Sequence, residues 1–302
     1  MSRRQRKEEA GRVDPALYGM HPAARAVLTA LAGLFSLFIV GPLVWLVIAA
    51  TKDTVHVYQS FGFWFAGPFR LFHNIVSLGQ NISGAGVFVV WLRNTLIYAV
   101  VGAVGATALS AMAGYGFARY RFRGSRALFF VLMASLLVPI TSVALPLFLL
   151  YAKTGLVNSP WGMILPSMVS VVGIYLMRTF IEAAVPQDLI AAARLDGAGE
   201  LRIFLRIAMP LSASGLVTVL LISVVTIWNN YFLPLMIFSK SRLYPLTVGL
   251  AAMSTAAQTG SKADLVPVLI TGGLVTVVPI AVLFLLLQRY FRGGALQGSM
   301  TG

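Results

Sequence analysis

Six long apolar runs dominate this chain of 302 residues and restrict what it can fold into. They lie at about Val27–Ala50, Thr95–Ala118, Ala127–Tyr151, Trp161–Met177, Leu211–Phe238 and Val266–Gln288. No charged residue interrupts the chain between Val27 and Ala50. A bilayer core is crossed by roughly 20 apolar residues in helix, and buried helices of soluble proteins are rarely so long or so uniform. The expectation is an all-α, polytopic membrane protein with six transmembrane helices. Only 11% of residues are charged, against about a quarter in soluble domains, so this surface cannot face water all round. The first run follows a basic start and ends near Ala49 and Ala50, as a signal peptide would, but it is about twice the length of a signal core. It reads as an uncleaved span.

Charge placement gives the orientation. The 23 Lys and Arg exceed the 9 Asp and Glu, for a net charge of +14. Sixteen of the 23 fall before the first run, in the second and fourth connections, and in the tail, from Arg3 and Arg4 through Arg119–Arg126 and Arg178–Arg206 to Arg289 and Arg292. The opposite side holds Lys52, Arg70, Arg93, Lys153, Lys240, Arg242 and Lys262. The positive-inside rule then puts both termini in the cytoplasm, which an even number of spans also requires. The expected partition is a cytoplasmic tail at 1–26, a six-helix permease domain at 27–291 and a second tail at 292–302. The basicity is a topology signal, and no nucleic acid is implied as a partner.

Within the second run, Gly102, Ala106, Ser110 and Gly114 recur every fourth residue, a spacing that lets helices approach closely in lipid. Pro139 and Pro146 interrupt the third run, and Pro267 and Pro279 flank or interrupt the sixth. The longest outer connection, Thr51 to Asn94, carries Phe61, Phe63, Trp64, Phe65, Phe69, Phe72, Phe88 and Trp91. Such a loop suits either an interfacial anchor or a docking surface for an external partner.

Catalytic signatures are missing. The chain has 0 Cys and three scattered His, so no metal site and no cofactor are expected. It lacks GxxxxGK[ST], GxSxG and HExxH. All 9 acids lie outside the apolar runs. A proton- or sodium-coupled carrier places ionisable groups at membrane depth, so the energy should come from a partner. A non-transport assembly role remains the reading from another class.

The fourth connection, RTFIEAAVPQDLIAAARLDGAGELRIFLRIAMP from Arg178 to Pro210, concentrates four acids and four arginines. Pro186 can open a helix over Asp188–Leu195, Asp196-Gly197 favours a turn, and a second helix carries Leu201, Phe204, Leu205 and Ala208 on an apolar face. On pattern alone this is a helix–turn–helix that either projects from the membrane or lies on it. Its sequence resembles the EAA loop of ABC importer permeases, in which three residues separate EAA from a glycine and the second helix closes at proline. Aligned on Asp196-Gly197-Ala198, EAA falls on Ala191, Ala192 and Ala193, so alanine replaces the family's glutamate. Glu182-Ala183-Ala184 lies too far upstream of Gly197 to serve. Asn94-Thr95, Gly114–Arg119, the Trp228–Leu235 stretch WNNYFLPL and Gln288–Phe291 look like the smaller permease of maltose-type carbohydrate importers. The Gln that often follows the first proline of the third span is absent after Pro139.

The resemblance implies a bacterial inner-membrane permease that pairs with a second, different permease. Two ATPase subunits and an external binding protein that delivers a sugar complete the complex. It assigns the docking surface for the ATPase to Ala191, Ala192, Ala193, Asp196, Gly197, Ala198, Phe204 and Pro210. Trp228, Asn229 and Asn230 are candidates for the translocation path, since sugars favour stacking and amide hydrogen bonds. The competing assignment is an interface anchor for the tryptophan and interhelical bonding for the asparagines. Cargo of another polar class fits the same framework. Gly197→Asp, which puts a charge and a Cβ into the turn, should abolish transport with membrane insertion intact. Transport that survives the change would sink the docking assignment.

Overall fold

The computed structural model describes residues 22–80, 87–259 and 265–295. Among them all regular structure is helical. The helices are α1 (Pro22–Ala50), α2 (Thr54–Gln59), α3 (Leu71–Gln80), α4 (Val87–Arg119), α5 (Ser125–Ser135), α6 (Ala144–Thr154, preceded by a 3-10 turn at Ile140–Val143), α7 (Pro160–Ser167) and α8 (Val171–Ala184). They continue with α9 (Gln187–Leu195), α10 (Glu200–Leu211), α11 (Ala213–Trp228), α12 (Phe232–Ile237), α13 (Leu246–Gln258) and α14 (Leu265–Ala295). Four stretches are long and apolar enough to cross a bilayer, and up to six if each of two bent pairs forms one span. The bends are 96° between α5 and the Ile140–Thr154 segment, and 80° between α10 and α11. Most residues of the tails read at 1–26 and 292–302 lie outside the described residues, as does His21.

Helix α4 is the axis of the bundle, packed against α7, α8 and α11. The four-residue spacing of small side chains explains why. Gly102 faces Ile227 and Ser167, and Gly114 lies so close to α8 that an added Cβ would sit 2.7 Å from Met177 Cβ and 2.8 Å from the Arg178 nitrogen. Ser110 Oγ donates to the Ser170 carbonyl at 3.4 Å. In lipid, contact of this kind replaces the hydrophobic drive. Helix α1 rests along α14 and buries only Ile48, Ala49 and Ala50 within the chain.

Two cores result. One joins Tyr98, Ala103, Met163, Ile227, Trp228 and Phe238, and the other joins Tyr115, Met177, Ile181, Ile190, Ile203 and Ala208 beside the α9–α10 hairpin. Phe88 and Trp91, expected in the outer loop, are buried in α4, which begins at Val87. Arg93 breaks the apolar run there and hides the first two turns from a hydropathy reading. Trp91 Nε1 donates to the Ser241 carbonyl at 2.9 Å, and Asn94 Nδ2 donates to the carbonyls of Arg242 (2.8 Å) and Tyr244 (3.1 Å). The loop after α1 is shaped by buried Lys52, whose Nζ donates to Ser60 Oγ at 2.8 Å and the Phe61 carbonyl at 2.9 Å. Tyr58, Phe61, Trp64, Phe69 and Phe72 point outward from it.

Gly114→Val should destabilise the fold by about 1–3 kcal/mol through overpacking against the α8 backbone. A Cβ at Gly116 meets nothing within 4 Å. Gly116→Val therefore carries the same propensity loss without the clash, and thermal melts of the two purified variants should separate clearly.

Candidate functional site

The hairpin between α8 and α11 is built from local rules. Pro186, extended at φ −64° and ψ 143°, opens α9, and Asp188 lies in its positive first turn. The helix ends in a Schellman turn: the Gly197 N–H donates to the Arg194 carbonyl at 3.0 Å, and the Ala198 N–H to the Ala193 carbonyl at 2.9 Å. Gly197 adopts φ +78°, the left-handed region that glycine enters without cost. A Cβ built there meets nothing within 4 Å, so the penalty of Gly197→Asp is backbone strain and charge, not collision.

One carboxylate closes the hairpin. Arg194 Nε donates to Glu200 Oε1 at 2.7 Å, and the Tyr120 hydroxyl donates to Glu200 Oε2 at 2.6 Å. Glu200 thereby ties α9, α10 and the residue following α4 together. The Arg194 guanidinium and the Tyr120 hydroxyl hold Glu200 below the ordinary carboxylate range. Donating to that carboxylate pushes Tyr120 up to about 12. Beside it, Arg119 Nη2 donates to the carbonyls of Ile181, at 2.5 Å, and Val185, placing a cation at the negative end of α8. Tyr115 meets the Phe204 ring at 5.2 Å, fastening α10 to α4.

The residues expected to dock a partner divide into two groups. Ala193 is buried, and Ala198 and Phe204 are half-buried, so these hold the hairpin together. Ala191, Ala192, Asp196, Gly197 and Pro210 are exposed. Of the expected apolar face of α10, Ala208 is buried and Phe204 half-buried, but Leu201 is 70% exposed and Leu205 is also exposed, and Ile203 is buried instead. Both faces of that segment are apolar, so periodicity could not choose between them. A π-helical turn at Phe204–Ala208, with the Met209 N–H donating to the Phe204 carbonyl, accommodates Pro210, which has no N–H to give. The sequence reading missed Leu195, which is 90% exposed at the tip directly before Asp196-Gly197. It also missed Arg194 and Glu200. Their six-residue separation is no helical spacing, so the ion pair has no sequence signature.

The membrane part holds a cavity of about 430 Å³ where three helices are discontinuous. The discontinuities are the turn before α6, the α7–α8 junction and the end of α11. Leu147, Tyr151, Ser167, Ser170, Ser223, Asn230 and Phe232 contribute to its wall. Of the three path candidates, Asn230 lines the cavity. Asn229 is exposed beside it and donates from Nδ2 to the Val225 carbonyl at 2.8 Å. Trp228 is buried in the core with Tyr98 and Phe238, and does not line the cavity. Its bulk and apolar surface are used for packing. Among the described residues, no group of three or more His, Cys, Asp and Glu could hold a metal ion.

An all-helical, multi-span membrane protein with a braced hairpin at one end and a walled cavity within is the architecture of a solute permease. Residues 106–294 match the family described as binding-protein-dependent transport system inner membrane components, and the chain belongs to that family of ABC importer permeases. It is 33% identical over 218 residues to the arabinooligosaccharides transport system permease of Halalkalibacterium halodurans, covering 72% of this chain and 76% of that one. It is 29% identical over 263 residues to the sn-glycerol-3-phosphate transport system permease of Yersinia pestis, covering 85% and 91%. A bacterial ABC transporter involved in the import of the acidic polysaccharide alginate shares the fold, with a TM-score of 0.76 at 22% identity, over 90% of this chain and 99% of that one. The protein is thus a permease subunit in the inner membrane, with ATP hydrolysis in a separate subunit.

Glu200→Gln should loosen the hairpin and lower transport per ATP hydrolysed by roughly 2- to 30-fold. Because the native carboxylate is held below its ordinary range, its contribution is present at neutral pH and lost as the pH falls through that lowered value. Hydrogen-exchange protection across α9 and α10, taken relative to the intrinsic exchange rate at each pH, should therefore fall on acidification in the wild type, with a much flatter response in Glu200→Gln.

Proposed function

We propose that this chain is one of two different permeases in an ATP-driven bacterial importer of a sugar or oligosaccharide. Six spans, read as α1, α4, the broken α5–α6, α7–α8, α11 with α12, and α14, leave α10 on the far side of its 80° bend from α11 and put both termini and the α9–α10 hairpin in the cytoplasm. That reading keeps the tails at 1–26 and 292–302 and the permease domain at 27–291. Two ATPase subunits dock beneath the permeases, and an external binding protein delivers the cargo.

The observation that carries the docking role is the outward face of the hairpin. Leu195 stands 90% exposed at the tip of a hairpin whose first helix is tied through Arg194 to Glu200 and whose second helix meets Tyr115 through Phe204. A bare apolar knob on a rigid support suits a groove in a partner. Ala191, Ala192, Asp196 and Gly197 share that face and would touch the ATPase, while Ala193, Ala198 and Phe204 would transmit the load into the bundle. Pro210 precedes the 80° bend into α11. Closure of the ATPase pair would then tilt α11 and α8 and alternate access to the cavity.

The carbohydrate assignment draws on the arabinooligosaccharide relative. A phosphorylated polyol is the second reading, favoured by the similarity to the glycerol-3-phosphate permease. With 0 Cys in the chain, Leu195→Cys introduces its sole thiol. A membrane-impermeant maleimide should label that thiol only from the cytoplasmic side, and assembly with the ATPase should block the reaction. Labelling from outside would overturn the topology, and equal labelling with and without the ATPase would overturn the docking face.

A further inference from the structure

We propose that the segment from Thr54 to Phe72 is an aromatic wedge seated in the lipid headgroup boundary at the Ala50 end of α1, covered by phospholipid and not by a second protein. Lipid contact at this level is independent of the cargo and of which side of the membrane that end faces. Between Asp53 and Arg70 the chain has no Lys, Arg, Asp or Glu, and six of those residues are Phe, Tyr or Trp. The segment is folded, and its polar groups turn inward. Buried Lys52 holds Ser60 Oγ and the Phe61 carbonyl through Nζ. Asn74 Nδ2 donates to the carbonyls of Ala50 (3.0 Å) and Lys52 (3.1 Å), and the Arg70 N–H to the Thr51 carbonyl at 2.7 Å, which closes the base of the loop. Asp53 Oδ1 caps α2 by accepting the His56 N–H at 2.9 Å. The rings turn the other way. Phe61 is 74% exposed, Trp64 71% and Phe72 75%. They meet one another at the surface, Phe61 with Phe63 at 6.3 Å between centroids and Phe69 with Phe72 at 6.4 Å. A loop built for water would do the reverse, and a contiguous apolar face of this kind marks contact with protein or membrane.

The level of the loop along α1 decides between the two. Helix α1 keeps large apolar side chains exposed from Val27 to Val47, about 30 Å by helical rise and the thickness of a hydrocarbon core. Gly62 packs against Trp45 within that length: an added Cβ would lie 3.0 Å from the indole Nε1. Phe61 and Phe63, on either side of Gly62, are therefore level with a residue about 7–8 Å short of the Ala50 end. The loop folds back along the span instead of rising from it, and its rings continue the lipid-facing surface of α1. Interfacial segments reach this depth, about 5–10 Å into the boundary between headgroups and acyl chains, where Trp and Tyr rings are preferred. A soluble protein arriving from the aqueous side meets the top of such a loop, not the face folded down beside the helix. Helices α2 and α3 also pack on α14, so the wedge is fixed to both α1 and α14. Within the chain α1 buries only Ile48, Ala49 and Ala50, and the wedge sets the depth of a helix that the bundle holds at one end.

Nitroxide labels on the complete transporter in proteoliposomes, with its other subunits cysteine-free, test this. The chain has 0 Cys, so Trp64→Cys and Phe72→Cys each supply one thiol at an exposed position. Lys240→Cys, in the exposed stretch after α12, is the aqueous reference. Relaxation by oxygen relative to a water-soluble nickel chelate should be at least about 3-fold greater at the two wedge positions than at the reference. Adding the binding protein should leave that ratio unchanged. A ratio equal to the reference places the rings in water and overturns the proposal. Weak relaxation by both reagents means that the second permease covers the wedge, and loss of relaxation only with the binding protein makes it a docking surface. Either result overturns lipid contact.

Discussion

Inside a bilayer no water is available to satisfy a free N–H or C=O, so every departure from helix must be enclosed. That constraint organises this molecule. Three of its helical breaks, the turn before α6, the α7–α8 junction and the end of α11, meet around one cavity. The surroundings provide the enclosure. Helix α4, stripped to Gly102, Ala106, Ser110 and Gly114 on one face, brings α7, α8 and α11 close enough to shield their irregular backbone. Loss of one small residue from that face would therefore disturb packing and leave backbone groups near the breaks poorly covered.

The hairpin solves a different problem, that of staying rigid while projecting from the bundle. Helices of nine and twelve residues are marginal by themselves. Here α9 and α10 are stabilised by tertiary contact, with Ile190, Ala193, Ile203 and Ala208 packed against Tyr115, Met177 and Ile181. Glu200 adds an electrostatic clasp across the turn, and Arg119 joins the carbonyl end of α8 to the end of α4. Individual surface ion pairs contribute little. The value of this one is geometric: a single carboxylate receives donors from α9 and from the segment after α4, so the three move as one body.

How much of this was legible before the structure depends on whether the signal is local. The apolar runs were visible because length and hydropathy are properties of contiguous residues, and the four-residue spacing of small side chains was visible because helical geometry gives it a meaning. The turn at Asp196-Gly197 was also readable, since a left-handed residue after a helix calls for glycine. Phe88 and Trp91 were misplaced because an arginine at Arg93 looks like a membrane boundary, though α4 continues past it in both directions. Trp228 was grouped with Asn229 and Asn230 as one stretch, yet Trp228 ends α11 inside the core while the asparagines follow the helix, and of the three only Asn230 lines the cavity. The Arg194–Glu200 pair, the Arg119 bonds to α8 and the convergence of Tyr151 with Ser223 join residues that no sequence period relates. Only the packed chain brings them together.

Helix α11 connects the two functional regions, and its form bears on how they communicate. It is regular from Ala213 to Trp228, about 24 Å by helical rise, with irregular joints at both ends. The lower joint is Ser212, fully buried at an 80° bend from the hairpin. The upper joint is Asn229–Asn230, beside the cavity. A rigid rod between two joints converts displacement at one end into tilt at the other, because its own hydrogen-bonded interior deforms least. Ser223 lies on the upper half of that rod and Asn230 just beyond its end, whereas Tyr151 belongs to α6. In the proposed importer, movement of the hairpin would therefore change the separation between the two sides of the cavity.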